Sequence, residues 1–262
     1  EAFMAEQRFS KAWVVGASTG IGRALTLELA KQGVDVVASA RGSAALAEVV
    51  ATGAALPGAI QALAFDVTDN DATGTAHRDA TTLLGQIDLC VSCAGTYKRF
   101  GAQDFSAETF RRMVEVNLMG SVHVLEAAMP DMIARGSGHI AVVSSVAGYR
   151  GLPAASAYGA TKAALINMCE SLKFDLDQAG VKLQLVDPGF VETPLTALND
   201  FKMPFLMKAD AAAQAFYRGL LSDRFEITFP KRFAWQLKFL RCLPYAAYFP
   251  LVRRSTKRLA KT

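Results

Sequence analysis

The feature that most constrains this chain is a glycine-rich turn, Gly16-Ala17-Ser18-Thr19-Gly20-Ile21-Gly22, set between segments of different periodicity. Ahead of it, Ala12–Gly16 (AWVVG) is a short continuous apolar run, the pattern of a strand buried on both faces. Behind it, Ile21, Leu25 and Leu29 recur at a spacing of four, as on one face of a helix. Gly33 then ends the run, where a left-handed residue commonly closes a helix. A strand that turns through glycines straight into a helix brings bare backbone N–H groups and a helix dipole to one point, which suits a pyrophosphate. Gly16, Ser18, Thr19, Gly20, Ile21 and Gly22 are therefore the expected dinucleotide-binding residues. The GxxxGxG spacing differs from the commoner GxGxxG, and without further features such a turn is equally plain turn chemistry.

The rest of the chain repeats the strand-then-helix pattern. Val34–Ala40, Ile60–Phe65, Ile87–Val91, His139–Ser144 and Val181–Val186 read as strands, with a seventh at Glu226–Phe229. Helices are expected over 70–84, 107–134, 158–178 and 209–221, with a short one capped by Ser43. Such alternation implies right-handed crossovers and a parallel sheet covered on both faces. The expected fold is α/β, a single Rossmann-type doubly wound parallel sheet of about seven strands over residues 1–230. Residues 231–262 then form a C-terminal extension. With 52% apolar and 20% charged residues, the chain has material for a large core.

Selection between NAD and NADP is expected at the end of the second strand. An acid there would take the ribose 2′-hydroxyl, but Ala40 is followed by Arg41. A guanidinium suits a 2′-phosphate, so NADP(H) is the expected cofactor, with NAD(H) as the alternative. Asp66, ending the third strand beside Val67, is a candidate partner for the adenine amino group, while Asp69 is suited to cap the next helix.

Tyr158 and Lys162 lie four apart at the start of an expected helix and can share one face. A neighbouring ammonium favours the phenolate and makes a tyrosine usable for proton transfer. Alone, YxxxK is common. Ser145, thirteen residues upstream at the C-terminal end of the fifth strand, places a third polar group where ligands of doubly wound sheets gather.

With these residues assembled, the sequence resembles the short-chain dehydrogenase/reductase family over almost its whole length. That family's TGxxxGIG is matched by Val15 to Gly22, departing at the leading threonine. Its NNAG is matched by Ser92-Cys93-Ala94-Gly95, which loses both asparagines but keeps Ala94 and Gly95 along the cofactor. The catalytic asparagine, serine, tyrosine and lysine are matched by Asn117, Ser145, Tyr158 and Lys162. PGxVxT is matched by Pro188-Gly189-Phe190-Val191-Glu192-Thr193, where the family holds the nicotinamide carboxamide. The resemblance implies an NADP(H)-dependent interconversion of a carbonyl and an alcohol. In it Tyr158 moves the proton, Lys162 lowers the phenol pKa and holds the nicotinamide ribose, and Ser145 binds the substrate oxygen. Asn117 positions a relay water, and Pro188, Gly189, Val191 and Thr193 sit against the cofactor. It also implies a homodimer or homotetramer built on the helices at 107–134 and 158–178.

A lid is expected over 190–208, rich in apolar residues. Tyr149, Leu152, Phe190 and Leu195 are the expected substrate-lining residues, and a hydrophobic ketone or alcohol the expected substrate; the alternative is that the lid residues simply pack onto the core. Residues 225–262 carry nine Lys or Arg against one acid, Glu226, a local +8 on a chain of net +4, leaving −4 elsewhere. Aromatic residues interleave with those bases, and Pro244 and Pro250 are expected to break the run into short pieces. Such a segment can pack over the active site or meet anionic lipid at a membrane surface. Nucleic-acid binding is not expected, since no base-reading or stacking module accompanies the charge.

Cys90 and Cys93 form a CxxC in an apolar run where residues three apart face opposite sides, so core cysteines are expected rather than a redox pair. His77, His123 and His139 fall in no ligand pattern, and no metal is expected. No GxSxG elbow supports a serine hydrolase. No apolar stretch is long enough to span a membrane. EAFMAEQ has no signal-peptide pattern, and Glu1–Phe3 reads as an added remnant ahead of Met4. A cytoplasmic protein is expected, with peripheral contact to a membrane as the alternative. Three functions compete: an NADP(H)-dependent carbonyl reductase or alcohol dehydrogenase, a membrane-surface reductase of ketoacyl or ketosphingoid-type lipids, and a non-catalytic cofactor sensor.

Overall fold

A computed structural model describes residues 9–199 and 201–259. Met4, Asp200 of the lid and residues 260–262 of the extension lie outside the described residues, as do the side chains of Lys257 and Arg258.

Seven strands, β1 (Lys11–Val15), β2 (Asp35–Ala40), β3 (Ile60–Ala64), β4 (Leu89–Ser92), β5 (Gly138–Val143), β6 (Val181–Pro188) and β7 (Glu226–Phe229), form one parallel sheet. Their order is β3-β2-β1-β4-β5-β6-β7. The order reverses direction between β1 and β4, and the crevice beyond the strand ends at that switch point is where such sheets bind ligands.

The central strands are buried on both faces, while the edge strand β3 leaves Ala62 and Ala64 exposed. Alternate residues of each strand enter opposite core layers, as period-two geometry requires. Trp13, Val15, Cys90, Ile140 and Leu185 enter one layer, with Leu125, Leu165 and Phe233. Ala12, Val14, Leu89, Val91 and Val186 enter the other, with Leu25, Leu46 and Phe216. The second layer lies under α1 (Gly20–Lys31), α2 (Ser43–Gly53) and α7 (Ala209–Leu220). The first lies under α3 (Asn70–Leu84), α5 (Gly120–Ala134), α6 (Ser156–Gln178) and α8 (Lys231–Cys242).

Several local expectations change. Ser43 is the first residue of α2, the cap position belongs to Gly42, and no side chain caps it. Asp69 does cap α3, accepting from the Ala72 N–H at 2.9 Å. The helix expected over 107–134 is α4 (Ala107–Met113) joined to α5 through a π-helical segment, Val114–Met119. Pro244 separates α8 from α9 (Tyr245–Leu259), but Pro250 lies inside α9. The turn before Pro250 is held from outside: Tyr248 is buried and its hydroxyl donates to Gly151 O, while Tyr245 stacks on Phe249. Such contacts offset the roughly 3 kcal/mol that an interior proline costs a helix.

Beside the core contacts of α8, one side chain, Arg150, ties the extension to the body. Arg150 donates to the carbonyls of Leu240, Arg241 and Leu243 at 2.8, 3.1 and 2.5 Å, closing the C-terminus of α8. The same guanidinium lies over the rings of Tyr245 and Tyr248, at 4.9 and 3.9 Å from their centroids.

Candidate active site

A cleft of about 580 Å³ opens beyond the strand ends, lined by the glycine turn, Arg41, Asp66, Val67, Ala94, Gly95, Ser145, Tyr158, Lys162 and Pro188 to Thr196, with Phe190 and Glu192 off its wall. At its floor the turn is built so that no side chain fits. A Cβ on Gly22 would stand 2.1 Å from Gly16 O, and Gly16 itself has φ +92° with its missing Cβ aimed at the backbone of Ala94. Thr19 gives α1 no side-chain cap, so the first-turn N–H groups are left to the cleft. A bare, positively polarised cradle of this kind fits a pyrophosphate.

At the far end, Arg41 and Asp66 line opposite sides of one mouth, 3.8 Å apart. Asp66 accepts from the N–H and hydroxyl of Thr68 at 3.0 and 2.9 Å. Burial works against its charge, but the Thr68 bonds and Arg41 outweigh burial and hold its carboxyl below the usual range. Arg41 keeps a largely exposed guanidinium.

The chemical end is dry. Tyr158 and Lys162 share one face of α6, with the ammonium 5.7 Å from the phenol ring centroid. Lys162 is buried and donates to Val143 O at 2.9 Å. Burial lowers it to about 8, against the opposing pull of Cys93 and Asp187. Burial likewise pushes Tyr158 up to about 12, and the Ser145 hydroxyl opposes that rise. Burial, rather than the neighbouring ammonium, sets the direction for this phenol. Ser145 sits at the head of a 3₁₀ turn, accepting from the Ala147 N–H at 3.1 Å.

Asn117 owes its position to the π-helical segment, whose extra residue per turn is a recurrent device at functional sites. Its Oδ1 accepts from the Thr96 N–H at 2.7 Å, and its amide hydrogens go to Thr96 O and Thr161 Oγ. Asn117 thus bolts the loop after β4 to α6. One lone pair of Oδ1 remains for the relay water that the resemblance implies.

Among the expected substrate-lining residues, Leu195 lines the cleft, whereas Tyr149, Leu152 and Phe190 do not. Tyr149 is turned away and buried, its hydroxyl donating to Glu226 at 2.6 Å. Phe190 lies between Phe201 and Phe233, with ring centroids at 5.8 and 5.3 Å. The lid is pinned at its base, where Met207 N–H donates to Phe190 O and Glu192 N–H to Met207 O. Phe190 and Phe205 pack on Phe233 of α8.

Three features were not read from the sequence. Tyr97 stands edge-on to Tyr158 at 5.1 Å. Cys93, expected in the core, lines the cleft near Lys162, with burial pushing its thiol up to about 11. Asp187 is wholly buried at the end of β6. Cys90 is a core cysteine as expected. Among the described residues no cluster could hold a metal ion. The histidines have other partners: His123 faces Val67 O, His139 faces Gln184, and His77 packs against Trp13.

The short chain dehydrogenase family profile matches residues 10–202. An uncharacterized oxidoreductase of Myxococcus xanthus is 37% identical over 251 residues, covering 96% of this chain and 99% of its own. One from Staphylococcus epidermidis is 33% identical, covering 81% of this chain and 91% of its own. Among solved structures, a short chain dehydrogenase/reductase from Burkholderia phymatum in complex with NAD superposes with a TM-score of 0.81 at 25% identity, over 90% of this chain and 94% of its own. An alcohol dehydrogenase from Thermococcus sibiricus, complexed with 5-hydroxy-NADP, shares the fold with a TM-score of 0.76 at 24% identity, over 84% of this chain and 95% of its own.

Proposed function

Because this chain belongs to the short-chain dehydrogenase family and is an oxidoreductase, we propose that it reduces a hydrophobic ketone or aldehyde with NADPH, and runs the reverse oxidation with NADP. The observation that carries this reading is the meeting of Ser145, Tyr158 and Lys162 in the same cleft as the glycine cradle. A nicotinamide cofactor seated there supplies or accepts the hydride. Gly16 and Ser18 to Gly22 would hold its pyrophosphate, Arg41 a 2′-phosphate, Asp66 and Val67 the adenine, and Ala94, Gly95 and Pro188 to Thr193 the nicotinamide half. Tyr158 gives its proton to the carbonyl oxygen and recovers it in the oxidative direction. Ser145 hydrogen-bonds that oxygen as charge grows on it. Lys162, held by Val143 O, keeps a positive charge beside the phenol. A pure cofactor sensor has no need of these groups.

The test is Tyr158→Phe assayed by NADPH oxidation against ketones graded from small and polar to long-chain. Turnover should fall about 10²- to 10⁴-fold, with NADPH binding retained. Near-wild-type turnover sinks the reading.

The exposed Phe105, beside α4, and Phe174, on the long helix α6, support a homo-oligomer; light scattering checks it. A second reading, a lipid reductase working peripherally at a membrane in the cytoplasm, is favoured by Trp235, Phe239, Tyr245 and Phe249. These are all more than half exposed among the bases of α8 and α9. Among the described residues no helix is long and apolar enough to cross a membrane. Vesicle flotation of the full chain against Trp235→Ala/Phe239→Ala distinguishes the two readings. Deleting residues 231–262 would not, because Phe233, Ala234 and Leu237 belong to the core.

A further inference from the structure

Asp187 stands at the C-terminal end of β6, immediately before the Pro188–Thr193 wall of the cleft. It has no solvent exposure, and neither carboxyl oxygen accepts a well-formed hydrogen bond, the nearest donors being the Ser144 hydroxyl and the Ser145 N–H. A buried ionised carboxylate with no donor is among the costliest arrangements a fold can hold. Its neighbour across the sheet is another acid. Leu185 pairs with Glu226 in the β6–β7 register and Asp187 with Thr228, so Asp187 and Glu226 are diagonal on one face, within reach of side chains. Glu226 already has donors, receiving the Tyr149 hydroxyl and the Lys238 ammonium.

We propose that Asp187 and Glu226 share a proton carried on Asp187, and that this proton makes Asp187 a positioning residue that sets the charge felt by Tyr158 and Lys162. The proton supplies the donor that the pair lacks. It belongs on Asp187 because Glu226 is already served by Tyr149 and Lys238. Two carboxylates at this spacing, one of them without a counter-charge of its own, do not both stay ionised at low cost. Burial first, and the Glu226 charge second, push the Asp187 carboxyl up to about 7, so the proton leaves near neutrality.

The groups facing Asp187 come from several elements. Ser144 and the backbone of Ser145 approach from the end of β5, and Glu226 from β7. Tyr158, Lys162 and Cys169 approach from α6, and Tyr149 from the loop before it. Lys238 and Arg241 of α8 reach the outer end of the cluster through Glu226 and Tyr149. A charge on Asp187 raises the Tyr158 phenol further and favours the Lys162 ammonium. Loss of the shared proton therefore weakens Tyr158 as an acid.

Difference infrared spectroscopy of the whole protein reads the proton itself. Wild type should show the carbonyl band of a protonated buried carboxyl below neutrality and lose it as pH rises through about 7. Asp187→Asn should lack that band at every pH. Absence of the band below neutrality, or its survival unchanged in Asp187→Asn, overturns the proposal. If Asp187→Asn does not fold, Glu226→Gln replaces it: the band should then vanish at lower pH than in wild type, and an unshifted band is equally fatal. In kinetics, the kcat/KM profile for carbonyl reduction should lose its neutral-range inflection in Asp187→Asn, and superimposable profiles refute the coupling to Tyr158. The kinetic consequence rests on the reductase reading, whereas the infrared band does not, so the two can fail separately.

Discussion

Replacing Arg41 with alanine should convert the enzyme's cofactor preference without touching its chemistry. Arg41 lines the cleft mouth 3.8 Å from Asp66 with 62% of its side chain exposed, and it touches none of the catalytic groups by any bond described above. A hydrogen bond to a charged group contributes roughly 1.5–3 kcal/mol, and this degree of exposure places Arg41 in the lower half of that range. At 1.4 kcal/mol per factor of ten, about 1.5–2 kcal/mol corresponds to a loss of about 10- to 30-fold in kcat/KM for NADPH. Asp66 adds to it. Its carboxyl is held below the usual range, chiefly by Thr68 with help from Arg41. It stays charged in Arg41→Ala and then repels a 2′-phosphate with no counter-charge between. NADH carries no such phosphate, so its kcat/KM should move little. Initial rates with both cofactors at one saturating ketone concentration give the ratio directly. An NADPH/NADH ratio that changes less than about threefold, or a parallel fall for both cofactors, refutes the role of Arg41 as the phosphate anchor.

Other consequences are equally open to measurement. Gly22→Ala places a Cβ 2.1 Å from Gly16 O; the cradle must shift, and calorimetric titration should find NADPH binding weakened at least tenfold. Arg150→Met removes three bonds to α8 and two ring contacts, together about 2–4 kcal/mol of local stability. Hydrogen exchange should quicken in α8 and α9 while α1 and α3 stay unchanged. Burial lowers Lys162 from 10.5 to about 8, so between those values the unfolded chain binds more protons than the folded one. Stability should therefore rise with pH across that window, and Lys162→Met should remove this contribution in chemical denaturation at pH 8 and pH 10.

The sheet was legible because each strand carries its own signal. Alternating or continuous apolar runs bounded by glycines and polar residues put every expected strand within about two residues of its place. The helices were less so where tertiary structure intervenes. Nothing in VEVNLM marks a π-helical segment, since Val114, Val116 and Leu118 alternate at a spacing of two, which matches no helical period. Pro250 read as a breaker because a proline's cost is local, while the Tyr248–Gly151 bond that offsets it joins residues 97 apart in sequence. The cofactor half of the site is made of contiguous motifs and could be read. Tyr149 could not: its position after Ser145 suggested the substrate, but its phenol is claimed by Glu226, 77 residues away. Asp187 offered no motif, and its importance comes from burial and from the acid diagonal to it.

The same division explains why the substrate stayed open while the reaction did not. The cofactor floor is held by neighbours in sequence, so its form follows from a few residues. The lid is held by α8, a distant element, through aromatic contacts. Phe190 stacks on Phe233 at 5.3 Å, and Phe205 lies 6.0 Å from the same ring. Phe205 has φ +56°, a left-handed conformation costly for a bulky residue, and it persists only where surroundings over-determine it. Gly189 lets this approach occur, because a Cβ there would come within 2.8 Å of the Phe233 ring. The lid is therefore shaped by how α8 is seated, and Arg150 and Lys238 seat α8 against the loop that begins at Ser145 and against Glu226. A change in the extension would thus move the lid while the glycine cradle kept its form.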